Sequence, residues 1–134
     1  MPSRWVIAAL RSVPVLVVED HGASARMLSA LLTAAGAKVL AVDTAEAALT
    51  ALETFPARVL IVDLVLPDAD GLALVRTLKA CTKTRHIACI AVTVMNDRDT
   101  ERSAYEAGCV AYVAKPVDTD NFATLVAKQL EGTK

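Results

Sequence analysis

Residues 13–36 read VPVLVVEDHGASARMLSALLTAAG, and two periodicities meet inside them. Val15 to Val18 is an unbroken aliphatic run, as a strand buried on both faces requires. Past Glu19, Asp20, His21 and Gly22 the pattern changes to that of a helix. Ser24, Met27, Leu28, Leu31, Leu32 and Ala35 keep the i, i+3, i+4, i+7 spacing of one helix face, and Gly36 stands where a left-handed residue closes a helix. One strand, an acid-bearing loop and one amphipathic helix make a single β–α unit.

Four more units follow. Strand-like runs recur at Lys38–Val42, Arg58–Val62, Ile87–Val92 and Val110–Val113. The second helix is expected to start from a capping box of Asp43 and Glu46 and to run to about Glu53, before Pro56. The third is expected from Gly71 to about Ala80. For the fourth, Asn96 is the expected cap and Gly108 the closing residue. The last puts Phe122, Leu125, Val126 and Leu130 on one face, with Gly132 just past its end. Five strands alternating with five helices predict an α/β fold, a doubly wound parallel sheet covered on both faces by right-handed crossovers. No linker or repeat appears after Val13, so residues 13–132 are expected to form one domain.

Composition bounds the function. In 134 residues, 14 Lys and Arg stand against 15 Asp and Glu, for a net charge of -1, and 54% of residues are hydrophobic. Disorder of the chain as a whole is excluded, and a domain of this size buries about two-thirds of its unfolded surface. Near-neutral charge without a basic cluster argues against direct nucleic-acid binding. The longest apolar runs, such as Trp5 to Leu10, are about six residues, far short of a membrane span. Cys81, Cys89 and Cys109 form no CxxC and are read as small buried hydrophobes in a reducing compartment, which places the protein in the cytoplasm. Residues 1–12 fall outside the β–α pattern. They are expected to be a frayed extension or a mistaken start, unless Trp5 and its apolar neighbours dock on the domain or a partner.

Open parallel sheets bind ligands beyond the carboxyl ends of their strands, where strand order reverses. In a five-stranded sheet of order 2-1-3-4-5 that point lies between strands 1 and 3. Strand 1 ends in Glu19 and Asp20, and strand 3 ends in Asp63. At about 4 Å and an effective dielectric near 20, each pair of carboxylates repels by roughly 4 kcal/mol, so the cluster needs a cation. Oxygen-only ligands, with no His or Cys, favour Mg²⁺ or Mn²⁺ over zinc. Thr93 follows strand 4, and Lys115-Pro116 follows strand 5. A hydroxyl and an ammonium facing a metal-bound carboxylate make an anion clamp suited to a phosphoryl group on or near Asp63.

With these residues in place, the chain resembles the receiver domain of two-component response regulators over essentially all of residues 13–132. The resemblance rests on Glu19-Asp20, on Asp63 within DLVLPDADG (63–71), and on Thr93, Tyr112 and Lys115-Pro116, which lie 30, 49 and 52 residues after Asp63 for Thr93, Tyr112 and Lys115. It implies a flavodoxin-like (βα)5 sheet of order 2-1-3-4-5. It also implies that Asp63 is the phosphoacceptor, taking its phosphoryl group from the phosphohistidine of a sensor histidine kinase or a histidine phosphotransfer protein. Asp20, Asp63 and the backbone carbonyl of Val65 would hold Mg²⁺, with Glu19 acting through water. Lys115 would pair with a phosphoryl oxygen, Thr93 would move toward another, and Tyr112 would then turn inward. That movement would reshape a face built from the fourth helix, fifth strand and fifth helix of the pattern. The family's bond before Pro116 is cis. Such a domain is not an enzyme beyond its own phosphotransfer and slow autodephosphorylation, and it works as a monomer or weak homodimer.

Some residues depart from the family or stay bland. Val94 is larger than the Ala or Gly usual after the threonine, which would narrow access to Asp63. Val65 and Met95 are apolar where the hydrolytic water would be oriented, which predicts a long-lived phosphoryl group. His21 and His86 are read as exposed residues outside the chemistry. Pro67 and Gly71 are read as turn and helix-start residues, and Asp68 and Asp70 as loop and cap residues. An aspartyl-phosphate enzyme would carry a second aspartate at the position of Val65, and a nucleotide fold would carry a glycine-rich loop after strand 1. Neither is present, so the competing reading is a phosphorylation-independent interaction module on the same fold. No output domain is expected within this sequence, which leaves open a stand-alone receiver or a piece of a longer regulator.

Overall fold

The computed structural model describes residues 2–131. Its elements are α1 (Arg4–Leu10), β1 (Pro14–Val18), α2 (Gly22–Ala34), β2 (Lys38–Val42), α3 (Ala45–Ala51), β3 (Val59–Val62), α4 (Gly71–Ala80), β4 (Ala88–Thr93), α5 (Arg98–Ala107), β5 (Ala111–Ala114) and α6 (Phe122–Glu131). Gly132, expected just past the last helix, lies outside the described residues. The strands form one sheet in the order β2-β1-β3-β4-β5, every pair parallel. Order reverses between β1 and β3, which pair in register from Val15↔Val59 to Val18↔Val62. This is the α/β, flavodoxin-like architecture expected from the sequence.

Strand alternation divides the core into two layers. Val15, Val17, Val59, Ile61, Ile90 and Val92 face α1, α2 and α6. Leu16, Val18, Leu60, Val62, Cys89 and Ala91 face α3, α4 and α5. Every residue of β3 and β4 is buried, which explains why these runs carry no polar alternation.

The amino-terminal segment corrects the expectation of a frayed extension. Residues 4–10 form α1, and Val6 and Leu10 are fully buried in the layer that also holds Leu28, Leu32 and Val126. Ser3 occupies the N-cap position without a side-chain hydrogen bond, and seven residues are too few for a helix to persist alone in water. Packing therefore holds α1: burying two aliphatic side chains contributes about 1.5–3 kcal/mol each. After α1 the chain reverses through Ser12 at φ 60, and the Ser12 N–H donates to the Gly36 carbonyl at 2.8 Å. Gly36, at φ 101, closes α2 with bonds from its own N–H to Thr33 and from the Ala37 N–H to Leu32, the paired closure its position in the sequence implied.

Helix starts shift by one residue from their expected caps. Thr44, not Asp43, caps α3, its hydroxyl accepting from the Ala47 N–H at 2.9 Å. Asp97, not Asn96, caps α5, accepting from the Thr100 N–H at 3.0 Å and the Thr100 hydroxyl at 2.7 Å. Gly108, at φ 117, ends α5. All three cysteines are free. Cys89 and Cys109 are buried, and burial pushes their thiols up to about 12 and about 11, but Cys81 is exposed after α4, against the reading of all three as core residues. Among the described residues no helix is long and apolar enough to cross a membrane.

Leu10→Ala is expected to cost about 2–4 kcal/mol in urea unfolding. Trp5, the chain's single tryptophan, reports the same event through its fluorescence. An unchanged midpoint would return residues 4–10 to the status of a loose extension.

Candidate functional site

The reversal of strand order sets four strand ends side by side, and each delivers one chemical group. Immediately after β1, the Glu19 N–H donates to the Val42 carbonyl, and after β3 the Asp63 N–H donates to the Val18 carbonyl, both at 3.0 Å. The sheet ladder therefore continues one residue past each strand, fixing the backbone of both acids. β4 ends in Thr93, whose carbonyl accepts from the Lys115 N–H at 2.8 Å. The Lys115–Pro116 peptide bond is cis.

Glu19 and Asp63 are 3% and 5% exposed, an unusual depth for acids. The Lys115 ammonium lies between them, 2.6 Å from Glu19 Oε1 and 3.2 Å from Asp63 Oδ2. Asp63 Oδ1 accepts from the Val65 N–H at 3.0 Å. Burial is the largest influence on all three groups. For Glu19 it prevails, with the neighbouring Asp63 adding to it, and the carboxyl is raised despite Lys115. For Asp63 burial is overcome by hydrogen bonds from Glu19, Val65 and Lys115, and the carboxyl is lowered. For Lys115 burial is overcome by its two carboxylate partners, and the ammonium is raised. Of the two buried acids, Asp63 is the one whose carboxyl is lowered.

Glu19 Oε2 is buried and has no hydrogen-bond partner within the protein. Asp20 is more open, and with Glu19, His21 and Asp63 it offers ligand atoms that all lie within 4.8 Å of one another. An orphaned buried oxygen beside clustered carboxylates fits a divalent cation, which supplies the charge that one lysine cannot. His21, read from sequence as an outlying loop residue, is exposed but stands inside this cluster. Its adjacency to the acid pair at the N-cap position of α2 was the available signal.

Thr93 and Tyr112 meet through a third residue. Thr93 is fully buried, and its hydroxyl accepts from the Met95 N–H at 3.3 Å. The Tyr112 hydroxyl donates to the Met95 carbonyl. Tyr112 thus points at the β4–α5 loop and not at Asp63. Burial, followed by the charges of Asp97 and Glu101, raises its phenol. Val94, Val65 and Met95 form exposed apolar positions beside the site, with Val94 70% exposed.

The β3–α4 loop is more tightly held than its polar sequence suggests. Asp68 reaches across to α3 and accepts from the Ala45 and Glu46 N–H groups at 2.9 and 3.0 Å, which lowers its carboxyl. Asp70 caps α4 through the Leu72 N–H. A Cβ on Gly71 would lie 2.3 Å from the Asp63 carbonyl oxygen, so only glycine lets α4 begin against the backbone of Asp63.

A family model described as the response regulator receiver domain matches residues 15–127. The chain is 31% identical over 121 residues to the sensor histidine kinase GacS of Pseudomonas protegens, covering 88% of this chain but 13% of that kinase. It is 28% identical to the polar-differentiation response regulator DivK of Brucella ovis, covering 87% of this chain and 94% of the relative. A solved signal receiver domain of a signal transduction histidine kinase from Syntrophus aciditrophicus superposes with a TM-score of 0.83 at 28% identity, over 92% of this chain and 93% of that one.

Two measurements follow from the geometry. A divalent cation at ten times its Kd is expected to stabilise the wild type by about 1.4 kcal/mol in urea unfolding, and Asp20→Asn to lose most of that increment. In metal-free protein, Glu19 has a folded-state value above its ordinary 4.5, so its contribution to stability is complete below pH 4.5 and is lost as pH rises through the raised value. Glu19→Gln is expected to flatten that fall in a pH series of unfolding midpoints.

Proposed function

Since the chain belongs to the response regulator receiver domain family, we propose that it accepts a phosphoryl group on Asp63 from the phosphohistidine of a sensor histidine kinase or a histidine phosphotransfer protein. The observation that carries this reading is the buried Asp63 carboxyl held between the Val65 N–H and the Lys115 ammonium. A carboxylate oxygen of Asp63 forms the new bond to phosphorus as the bond from phosphorus to the imidazole nitrogen breaks, and the imidazole leaves with the electron pair. Asp20, Asp63 and the Val65 carbonyl would hold Mg²⁺, with Glu19 acting through water. Bound there, the cation offsets the repulsion between the carboxylates and the incoming phosphoryl oxygens. Lys115 exchanges its contact with Asp63 for a phosphoryl oxygen while keeping Glu19, so the ammonium stays in place through the reaction.

Phosphorylation adds about 1.5–2 negative charges and three acceptor oxygens. The Thr93 hydroxyl, rotating toward one of these oxygens, releases the Met95 N–H. The β4–α5 loop then keeps the Tyr112 bond to Met95 and the Asp97 cap on α5, and Tyr112 turns inward as the loop moves. The face built from α5, β5 and α6 is the output surface, offered to a protein target. The chain acts on its own phosphorylation and is no enzyme toward a second molecule. It works in the cytoplasm, as a monomer or weak homodimer and without direct nucleic-acid contact.

Incubation with acetyl phosphate and Mg²⁺ is expected to give an adduct of about 80 Da by intact mass, absent in Asp63→Ala and lost with EDTA. Failure with both acetyl phosphate and a phosphohistidine-protein donor would leave the phosphorylation-independent interaction module as the reading. Because Val65 and Met95 cannot orient a water, the adduct is expected to decay slowly. A half-life of seconds in Mg²⁺ buffer would overturn that expectation, and Val65→Asn or Met95→Glu is expected to shorten it.

A further inference from the structure

We propose that His21 is a direct nitrogen ligand of the metal centre, making it a mixed nitrogen–oxygen site that favours transition-metal dications over Mg²⁺. The inference deepens the proposed function, since it rests on a cation being held by Asp20 and Asp63. In an octahedral shell with bonds of about 2.1 Å, adjacent donor atoms stand about 3.0 Å apart and opposite ones about 4.2 Å. His21 Nδ1 lies 3.3 Å from Asp20 Oδ1, 3.5 Å from Glu19 Oε1 and 4.0 Å from Asp63 Oδ2. The Asp20 and Asp63 separations fall in the range that a shared coordination sphere spans, while Glu19 Oε1 is the oxygen that Lys115 holds at 2.6 Å.

The side chain is free for this role. His21 sits at the N-cap position of α2 but makes no side-chain cap bond, and its backbone carbonyl alone takes the first helical bond, from the Ala25 N–H at 2.9 Å. Its position is therefore set by the helix start, and the contacts of its ring are those of Nδ1 with the three carboxylates. An independent mark of a ligand is the partnerless Glu19 Oε2, in a side chain that is 2% exposed. Lys115 already occupies the Oε1 side of that carboxylate, so the ammonium does not meet the need.

The chemical consequence follows from donor softness. Mg²⁺ gains little from exchanging a water for an imidazole, whereas Co²⁺, Ni²⁺ and Zn²⁺ gain much. The full chain has two histidines, His21 and His86. Co²⁺ titrated into the protein is expected to give one strongly shifted, exchangeable imidazole N–H resonance. The resonance should persist in His86→Ala and vanish in His21→Ala. By calorimetry, His21→Ala is expected to weaken Co²⁺ binding on the order of tenfold or more and Mg²⁺ binding by less than about twofold. Equal effects on the two cations, or no shifted resonance while Co²⁺ binds, would overturn the ligand and leave the oxygen site standing. Failure of both cations to bind wild type, with Asp20→Asn no different, would overturn the metal reading together with this one.

Discussion

The ammonium of Lys115, held between the buried carboxylates of Glu19 and Asp63, is the interaction on which the rest of the site depends. Two acids at this depth repel each other and lack water, and without a cation both would be driven toward protonation. Lys115 reaches them because β5 lies at the end of the sheet order and its following turn folds back to the Thr93 carbonyl. The arrangement settles the charges unequally. Asp63 collects the Val65 N–H in addition to Lys115 and is lowered, while Glu19 keeps an unpartnered oxygen and is raised. Two similar side chains are thus shifted in opposite directions by what surrounds them.

The outline of this site was legible in the sequence because it is written in strand ends. An aliphatic run that stops at a charged residue marks both a strand and its carboxyl terminus, so Glu19, Asp63, Thr93 and Lys115 could be placed before any coordinates. Tyr112 and the role of Val65 rested on family resemblance, since nothing in their local pattern marks them. What escaped reading was tertiary. α1 is two turns long and lacks a cap bond, so its docking is decided by Val6 and Leu10 finding space beside α2 and α6, which periodicity over seven residues does not reveal. His21 was judged by its loop position, although the start of α2 turns it into the acid cluster. The caps at Thr44 and Asp97 differ from expectation by one residue, because adjacent polar residues compete for the same role and only backbone geometry selects between them.

Glycine at position 71 illustrates a constraint that composition hides. Its backbone is not in the left-handed region; the requirement comes from α4 starting against the Asp63 carbonyl. Asp63 is therefore braced from behind by a helix as well as from the front by Lys115. The Thr93 side chain, by contrast, takes its hydrogen bond from the Met95 N–H, while its backbone is held by the Lys115 N–H.

That contrast makes the two loops flanking Asp63 mechanically unequal. The one after β3 is pinned to α3 by both oxygens of Asp68 and to α4 by Asp70. The one after β4 is joined to Thr93 and Tyr112 through Met95 and to α5 through the Asp97 cap. The loop after β3 is thereby tied to the helix that precedes its own strand, whereas these bonds join the loop after β4 to β4, β5 and α5. In this chain one aspartate, Asp68, couples the loop beside Asp63 to the start of α3.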